Sequence, residues 1–260
     1  MTERSVAVLT LYSMDGKHRS FQEQVEKQPD YRYDVRNEII INNDTMIFEE
    51  EYNVKVLMLN GGTKANGNTY ASLLEIGRQL EKEGIEYEIF QMGGEPVRDC
   101  LGCGQCTENG CVFADDKVNE FVAKAKEADG FVFGTPVYYA HPSGRVMSFL
   151  DRAFYSSGSA AFAFKPGASV AVARRGGTTA SFDAMNKYFG ICQMPVAGST
   201  YWNQVHGAVP GEACQDEEGM QTMRNLARNL AWMMKCFAAG KAAGVELPQT
   251  ERDYKTNFIR

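Results

Sequence analysis

From Asn53 onward, short apolar runs alternate with stretches of helical periodicity. Asn53–Asn60 (NVKVLMLN) is an apolar run of strand length followed by glycines. Thr69–Glu83 places Leu73, Ile76 and Leu80 on one helical face and stops before Gly84, which suits a helix C-terminus. Glu86–Phe90 predicts a second strand. Asp115 and Asp116 then precede a helix with Val118, Phe121, Val122 and Ala125 on its apolar face, ended by Gly130. Phe131–Gly134 predicts a third strand, and Val146, Phe149, Leu150 and Ala153 repeat the helical spacing. Ala168–Ala173 predicts a fourth strand, followed by a helix around Phe182, Met185 and Phe189. A short fifth strand is expected near Pro195–Thr200. The last helix is expected over Glu217–Ala239, with Met220, Met223, Ala227, Leu230, Met234 and Phe237 turned to the core. Strands alternating with helices in this way predict an α/β fold, a doubly wound five-stranded parallel sheet covered on both faces. It spans residues 53–240, and 241–260 form a tail.

Residues 1–52 follow a different pattern. Ser5–Leu11 and Glu38–Ile41 read as strands around a polar stretch rich in Gln and Glu. An N-terminal arm or hairpin extension results. Two readings stand open for it, a mobile extension and a contact between subunits.

Composition narrows the class. With 260 residues, 44% hydrophobic and 23% charged, the chain can bury a full core. Its net charge of -6 and lack of a long basic run argue against nucleic acid as the main partner. No apolar run approaches the roughly 18 residues of a membrane span. The N-terminus shows no secretory cleavage pattern, so a cytoplasmic location is the expectation. Seven cysteines are then thiols or metal ligands rather than disulfides.

In parallel sheets, ligands gather at the carboxyl ends of the strands, where strand order reverses. Three loops there carry candidate chemistry. Gly61–Thr69 (GGTKANGNT) leads from a strand into a helix N-terminus, where unpaired N–H groups and the helix dipole favour an anion. Gly61, Gly62 and Gly67 let backbone approach it; Thr63, Asn68 and Thr69 supply donors, and Lys64 supplies charge. The loop is neither a Walker A nor a GxGxxG pattern. An ordinary turn capped by Asn68 or Thr69 is the alternative. The second loop, Thr135-Pro136-Val137-Tyr138-Tyr139, sets a rigid turn and two aromatics at the end of the third strand. That combination suits a flat heteroaromatic ligand; two core tyrosines are the bland reading. The third, Arg174-Arg175-Gly176-Gly177, brings positive charge and backbone access to the same edge; a solvated arginine pair beside a flexible turn is the alternative.

Taken in order, GGTKANGNT, GTPVYY…SGRVMSFLDR and RRGGT resemble the NADPH-dependent FMN reductase family of flavodoxin-like proteins over residues 53–240. The resemblance implies that Thr63, Asn68 and Thr69 bind the phosphate of FMN. It implies that Pro136–Tyr139, with Gly176 and Gly177, hold the isoalloxazine ring, and that NAD(P)H donates electrons. Family members often carry Ser-Pro-Arg where this chain has Gly62-Thr63-Lys64. Residues 1–52 lie outside the resemblance.

A fourth loop sits after the second strand. Cys100, Cys103, Cys106 and Cys111 follow the spacing C-x2-C-x2-C-x4-C, with Gly102, Gly104 and Gly110 between them. Four thiolates in so short a stretch can enclose a cubic cluster or one metal ion. The loop resembles that of the iron-sulfur flavoproteins, a branch of the same family with a 4Fe-4S cluster beside FMN, for which ferredoxin is the implied partner. A zinc site and free thiols are the alternatives. Finally, Met194–Gly207 collects Tyr201, Trp202, Asn203 and His206. His206 can donate a proton to a reduced substrate, or simply lie exposed.

The sequence therefore predicts an FMN-dependent oxidoreductase acting on a small-molecule acceptor such as a quinone or flavin. A homodimer or homotetramer is expected. A flavodoxin-like electron carrier and a metal-binding module that has lost its flavin are the alternatives.

Overall fold

The computed structural model describes residues 54–157 and 160–256, together with three strands nearer the N-terminus. The chain divides into two compact units, Met1–Tyr52 and Asn53–Arg260. In the first, β1 (Ala7–Val8), β2 (Ile39–Asn42) and β3 (Thr45–Phe48) form an antiparallel sheet in the order β1-β3-β2. β1 and β2 fall on the two runs expected as strands; the polar stretch between them lies outside the described residues.

The second unit contains β4 (Lys55–Asn60), α1 (Asn68–Lys82), β5 (Glu86–Gln91), α2 (Val118–Glu127), β6 (Gly130–Tyr138) and β7 (His141–Pro142). It continues with α3 (Gly144–Ser157), β8 (Gly167–Ala173), α4 (Thr178–Ile191), β9 (Gln204–His206) and α5 (Glu217–Ala242). Five strands run parallel in the order β5-β4-β6-β8-β9, and β7 folds back antiparallel on β6. This is the doubly wound, flavodoxin-like order, with its switch point between β4 and β6.

Side-chain alternation along the strands separates two cores. Val56 and Met58 of β4 join Leu73, Ile76 and Leu80 of α1 and Met223, Leu226 and Leu230 of α5 on one face. Leu57 and Leu59 join Phe121 of α2, Phe149 of α3 and Phe189 of α4 on the other. Each large side chain so buried contributes roughly 1.5–3 kcal/mol. Aromatic contacts dominate the second core: Phe133 stacks on Phe189 at 5.2 Å and Phe154 on Phe162 at 4.1 Å.

The last strand lies elsewhere than expected. Pro195–Ala197 makes only a single bridge, Gly167↔Val196, and Gly198 to Trp202 leave the sheet. The chain returns as β9, which pairs Gln204 to His206 with Ala171 to Ala173. The apolar run that suggested a strand ends in glycine, whereas Gln204-Val205-His206 offers only Val205 to the core. The aromatic loop therefore precedes the last strand rather than following it.

β6 is also longer than its apolar run. It pairs with β4 only as far as Gly134 but stays paired with β8 through Pro136↔Val172. Past Gly134 one edge of β6 is open, which is where a strand tolerates proline. The expected turn at 135–139 is thus strand up to Tyr138. The reversal comes at Tyr139 and Ala140, with φ of 51° and 59°, the left-handed pair of a tight two-residue hairpin.

Candidate functional site

The end of β4 and the open edge of β6 create a cleft of about 320 Å³ at the switch point. Its floor is set by absent side chains. A Cβ on Gly61 would stand 2.1 Å from Val146 Cγ2 and 2.6 Å from Gly134 O, so only glycine lets the loop leave β4 beneath α3. Gly61 N–H donates to Gly134 O at 2.9 Å, tying the loop across to β6. Two side-chain amides, buried Asn60 and half-buried Gln91, fix it from below: Gly62 N–H donates to Asn60 Oδ1 at 3.0 Å, and Gln91 Nε2 donates to Gly62 O at 2.8 Å.

Gly67 occupies the N-cap of α1, no side chain caps it, and the first turn contains no acidic residue. The N–H groups of α1 therefore meet the cleft with their positive potential unopposed. Thr63, Lys64, Asn68 and Thr69 line this end. Pro136, Val137 and Tyr138 line the wall formed by β6, and Val172, Ala173 and Arg174 the wall formed by β8.

Gly207, Ala208 and Pro210 complete the cleft from the segment after β9. Composition gave no sign of them, because their contribution is backbone. Asn68 links this segment to α1: its Oδ1 accepts from Ala213 N–H at 3.2 Å, and a Cβ on Gly207 would meet its Nδ2 at 2.8 Å. Glu212 closes the segment on itself by accepting from Ala208 N–H at 2.6 Å and Val209 N–H at 3.0 Å. Those two N–H groups hold its carboxyl below the ordinary glutamate value.

Other candidate residues stand around the cleft rather than in its lining. Thr135 is fully buried and accepts from Ser143 N–H at 3.1 Å, fixing the entry to α3. Tyr139 is fully exposed at the hairpin tip. Arg175 and Gly176 are exposed beside Arg174. Gly177, at φ 98°, packs under the hairpin, where a Cβ would lie 2.3 Å from Ala140 Cα. His206 ends β9 with its Nδ1 3.4 Å from Asp216 Oδ2. The same carboxylate group accepts from His206 N–H at 2.7 Å and, as N-cap of α5, from Gly219 N–H at 2.9 Å. The imidazole is thereby turned toward the start of α5.

The cysteine loop leaves the sheet where β5 ends, beside the anion end of the cleft. Arg145 of α3 anchors its start by donating to Gly93 O at 2.8 Å and Glu95 O at 2.7 Å. Gly102 and Gly104 turn at φ 59° and 68°. Thr107 and Gly110 exchange backbone hydrogen bonds at 2.9 and 3.0 Å, forming a small closed turn before Cys111. Asn119 of α2 grips Cys111 twice, accepting from its N–H and donating to its carbonyl, both at 2.8 Å.

None of the four cysteines forms a disulfide; Cys103 is exposed and the others are half-buried. Burial first, then the nearby Cys111, Cys103 and Cys100, push the Cys106 thiol above its ordinary value, and Arg152 opposes them. Among the described residues, no three histidine, cysteine or carboxylate side chains already converge as metal ligands. The donor set itself, four thiols on one short pinned loop, fits a cluster or a soft metal.

The profile of the NADPH-dependent FMN reductase family matches residues 54–208, from β4 to just past β9. The chain belongs to that family. Over 190 residues it is 32% identical to an iron-sulfur flavoprotein of Methanocaldococcus jannaschii, an alignment covering 70% of this chain and 98% of that protein. The fold recurs in a solved flavone reductase, with a TM-score of 0.56 and 18% identity over 71% of this chain and 64% of the other. It recurs also in an NAD(P)H:quinone oxidoreductase from Methanothermobacter marburgensis, with a TM-score of 0.53 and 15% identity over 69% and 100%. Among the described residues no helix is long and apolar enough to cross a membrane.

Proposed function

We propose that this member of the NADPH-dependent FMN reductase family is an FMN-dependent oxidoreductase. It would reduce a quinone, a flavin or another small aromatic acceptor with electrons from NAD(P)H or ferredoxin. The observation that carries this reading is the uncapped N-terminus of α1 opening into the cleft opposite Pro136–Tyr138. One end suits a phosphate, and the opposite wall suits a flat ring. Backbone supports the fit as well, because Gly61 lets the loop leave β4 against Val146 and Gly134, and Gly62 and Gly67 line the cleft without side chains.

In this reading Thr63, Lys64, Asn68, Thr69 and the α1 N–H groups hold the phosphate. The strand ends at Pro136–Tyr138 and Val172–Arg174 hold the ring, with Tyr139, Arg175, Gly176 and Gly177 at its open side. When bound, FMN supplies hydride and single-electron chemistry, and the protein orients it and tunes its electronics. Exposed Arg174 and Arg175 bring positive charge to the rim, suited to an anionic ring or donor. Cys100, Cys103, Cys106 and Cys111 would hold a 4Fe-4S cluster on the same sheet edge. The iron-sulfur flavoprotein relative supports that assignment. His206 would serve as a proton donor only if its ring turned from Asp216 toward the acceptor.

The deciding experiment is the absorption spectrum of protein purified without oxygen, followed by addition of NAD(P)H. Bound flavin, bleached by NAD(P)H, is the expected result. A protein that stays colourless after FMN addition would overturn the flavin reading. Bound flavin that NAD(P)H leaves oxidised would instead favour an electron carrier.

We also infer a cytoplasmic homodimer or homotetramer in which residues 1–52 contribute to the interface. Deleting them should lower the mass seen by light scattering. A full-length chain that is monomeric at every concentration would defeat this idea.

A further inference from the structure

Arg152 is the largest fully buried side chain of the described residues, at 1% exposure. It lies on α3 between Phe149 and Ala153, on a face otherwise turned into the aromatic core. Burying a guanidinium is costly, and replacing a buried ion pair by apolar groups is often neutral or stabilising. Stability of the core alone does not account for it.

Its hydrogen bonds all point to one place. Nη1 donates to the Asp116 carboxylate and to Arg98 O at 3.3 Å. Nη2 donates to Phe113 O at 2.6 Å, and Nε donates to Cys111 Sγ at 3.3 Å. The partners lie on the segment from Arg98 to Asp116, which contains the four-cysteine loop. One planar cation draws both ends of the loop onto α3 and sets one of its four sulfurs. Asp116 balances the charge, so the pair is buried neutral while an N–H is left aimed at sulfur.

We propose that Arg152 is the positioning residue of the cysteine loop, fixing Cys111 and tuning the electron affinity of whatever centre that thiolate ligates. The proposal rests on the reading that the loop holds an iron-sulfur cluster. Hydrogen bonds to ligating sulfur withdraw electron density and help set a cluster's reduction potential. Residues that orient ligands typically change metal affinity roughly 10–100-fold when mutated. Lysine carries the same charge, but its single ammonium cannot span this set of acceptors.

The test uses the full chain, purified anaerobically as wild type, as Arg152→Lys, and as the double variant Arg152→Gln/Asp116→Asn. The double variant leaves no unpaired buried charge. FMN content and melting temperature report on the fold. Both variants should keep FMN, lose iron to a chelator about tenfold faster or more, and show a lower midpoint potential in an EPR-monitored titration. Amide hydrogen exchange over residues 98–116 should accelerate. Unchanged iron release, potential and exchange in both variants would overturn the proposal. So would a loss of FMN together with iron and a collapsed melting transition, which would make Arg152 a core residue of the whole fold. Wild-type protein that holds FMN but no iron or acid-labile sulfide would defeat the cluster reading separately. Hydrogen exchange across 98–116 would then decide alone on Arg152 as organiser of the loop.

Discussion

The cleft over the strand ends and the loop from Arg98 to Asp116 share one edge of the sheet, yet different forces hold them. The cleft is made by regular structure. Parallel strands stop, a helix begins, and glycine lets backbone approach where Gly61 meets Val146. Much of its polarity comes from the N–H groups of α1, which no substitution short of proline removes. The cysteine loop contains no helix and only the Thr107↔Gly110 bridge. Its shape depends on long side chains reaching from other elements: Arg152 and Arg145 from α3 and Asn119 from α2. A site of the first kind tolerates the loss of any one donor. A site of the second kind should weaken measurably when one contact is lost.

The largest effect that would test this contrast is on the metal. A cubane site needs all four thiolates, each deprotonated. Cys103→Ser should remove most of the iron and the broad visible absorption, while FMN remains bound through its separate loops. If electrons pass through the loop, the variant should also lose exchange with ferredoxin and still accept hydride at the flavin. Iron and sulfide analysis beside the flavin spectrum checks both. Loss of FMN in step with iron would show that the two regions are not independent.

The contrast also explains how far the sequence could be read. The parallel order, the helix over 68–82 and the buried strands follow from local periodicity, which reports regular structure directly. The lining residues Thr63, Lys64, Asn68 and Thr69, and Pro136 to Tyr138, were legible because each stands at or just past the carboxyl end of an apolar run, although the second group proved to be strand rather than turn. The fifth strand was misplaced because Gln204-Val205-His206 is too short and polar to announce itself. Ala208 and Pro210 went unseen, and Gly207 stood only as the end of the aromatic stretch, because backbone groups carry no composition. Arg152 acts at long range, with partners 36 to 54 residues away, and Asn119 reaches across 6 to 8 residues. Arg152 did leave one signal, an arginine within the apolar face marked by Phe149 and Ala153.

A second, smaller effect concerns the anion end of the cleft. Asn68 and Thr69 line it, and hydrogen bonds to a charged group contribute about 1.5–3 kcal/mol each. The α1 backbone donors survive substitution, so Asn68→Ala/Thr69→Ala should weaken FMN binding by at least about 100-fold without abolishing it. Part of the loss would come from releasing Ala213 N–H, which Asn68 now satisfies. Flavin fluorescence titration measures the change. Iron content should not move, which separates this variant from Cys103→Ser. Unchanged affinity would show that the phosphate lies elsewhere.

The smallest effect lies at the closing segment, where the backbone site borrows a side-chain clasp. Glu212 accepts from the N–H groups of Ala208 and Val209, and Ala208 lines the cleft. These bonds stabilise the carboxylate, so its value in the folded chain lies below the ordinary 4.5. A carboxyl with a depressed folded value contributes stability that is present above its unfolded value and is lost as the pH falls through the folded one. The clasp should therefore be intact at neutral pH and open below the ordinary glutamate range. FMN affinity in the wild type should decline over that acidic interval beyond what flavin protonation explains. Glu212→Gln keeps one acceptor oxygen but no charge, so it should bind FMN a few-fold more weakly at neutral pH, since charge-assisted bonds are about twice as strong as neutral ones. Its affinity should also be flatter between neutral and acidic pH than that of the wild type. Parallel pH profiles in the two proteins would remove Glu212 from the site and leave the cleft's fourth side held by Asn68 and by the Gly207 N–H on Ala173 O.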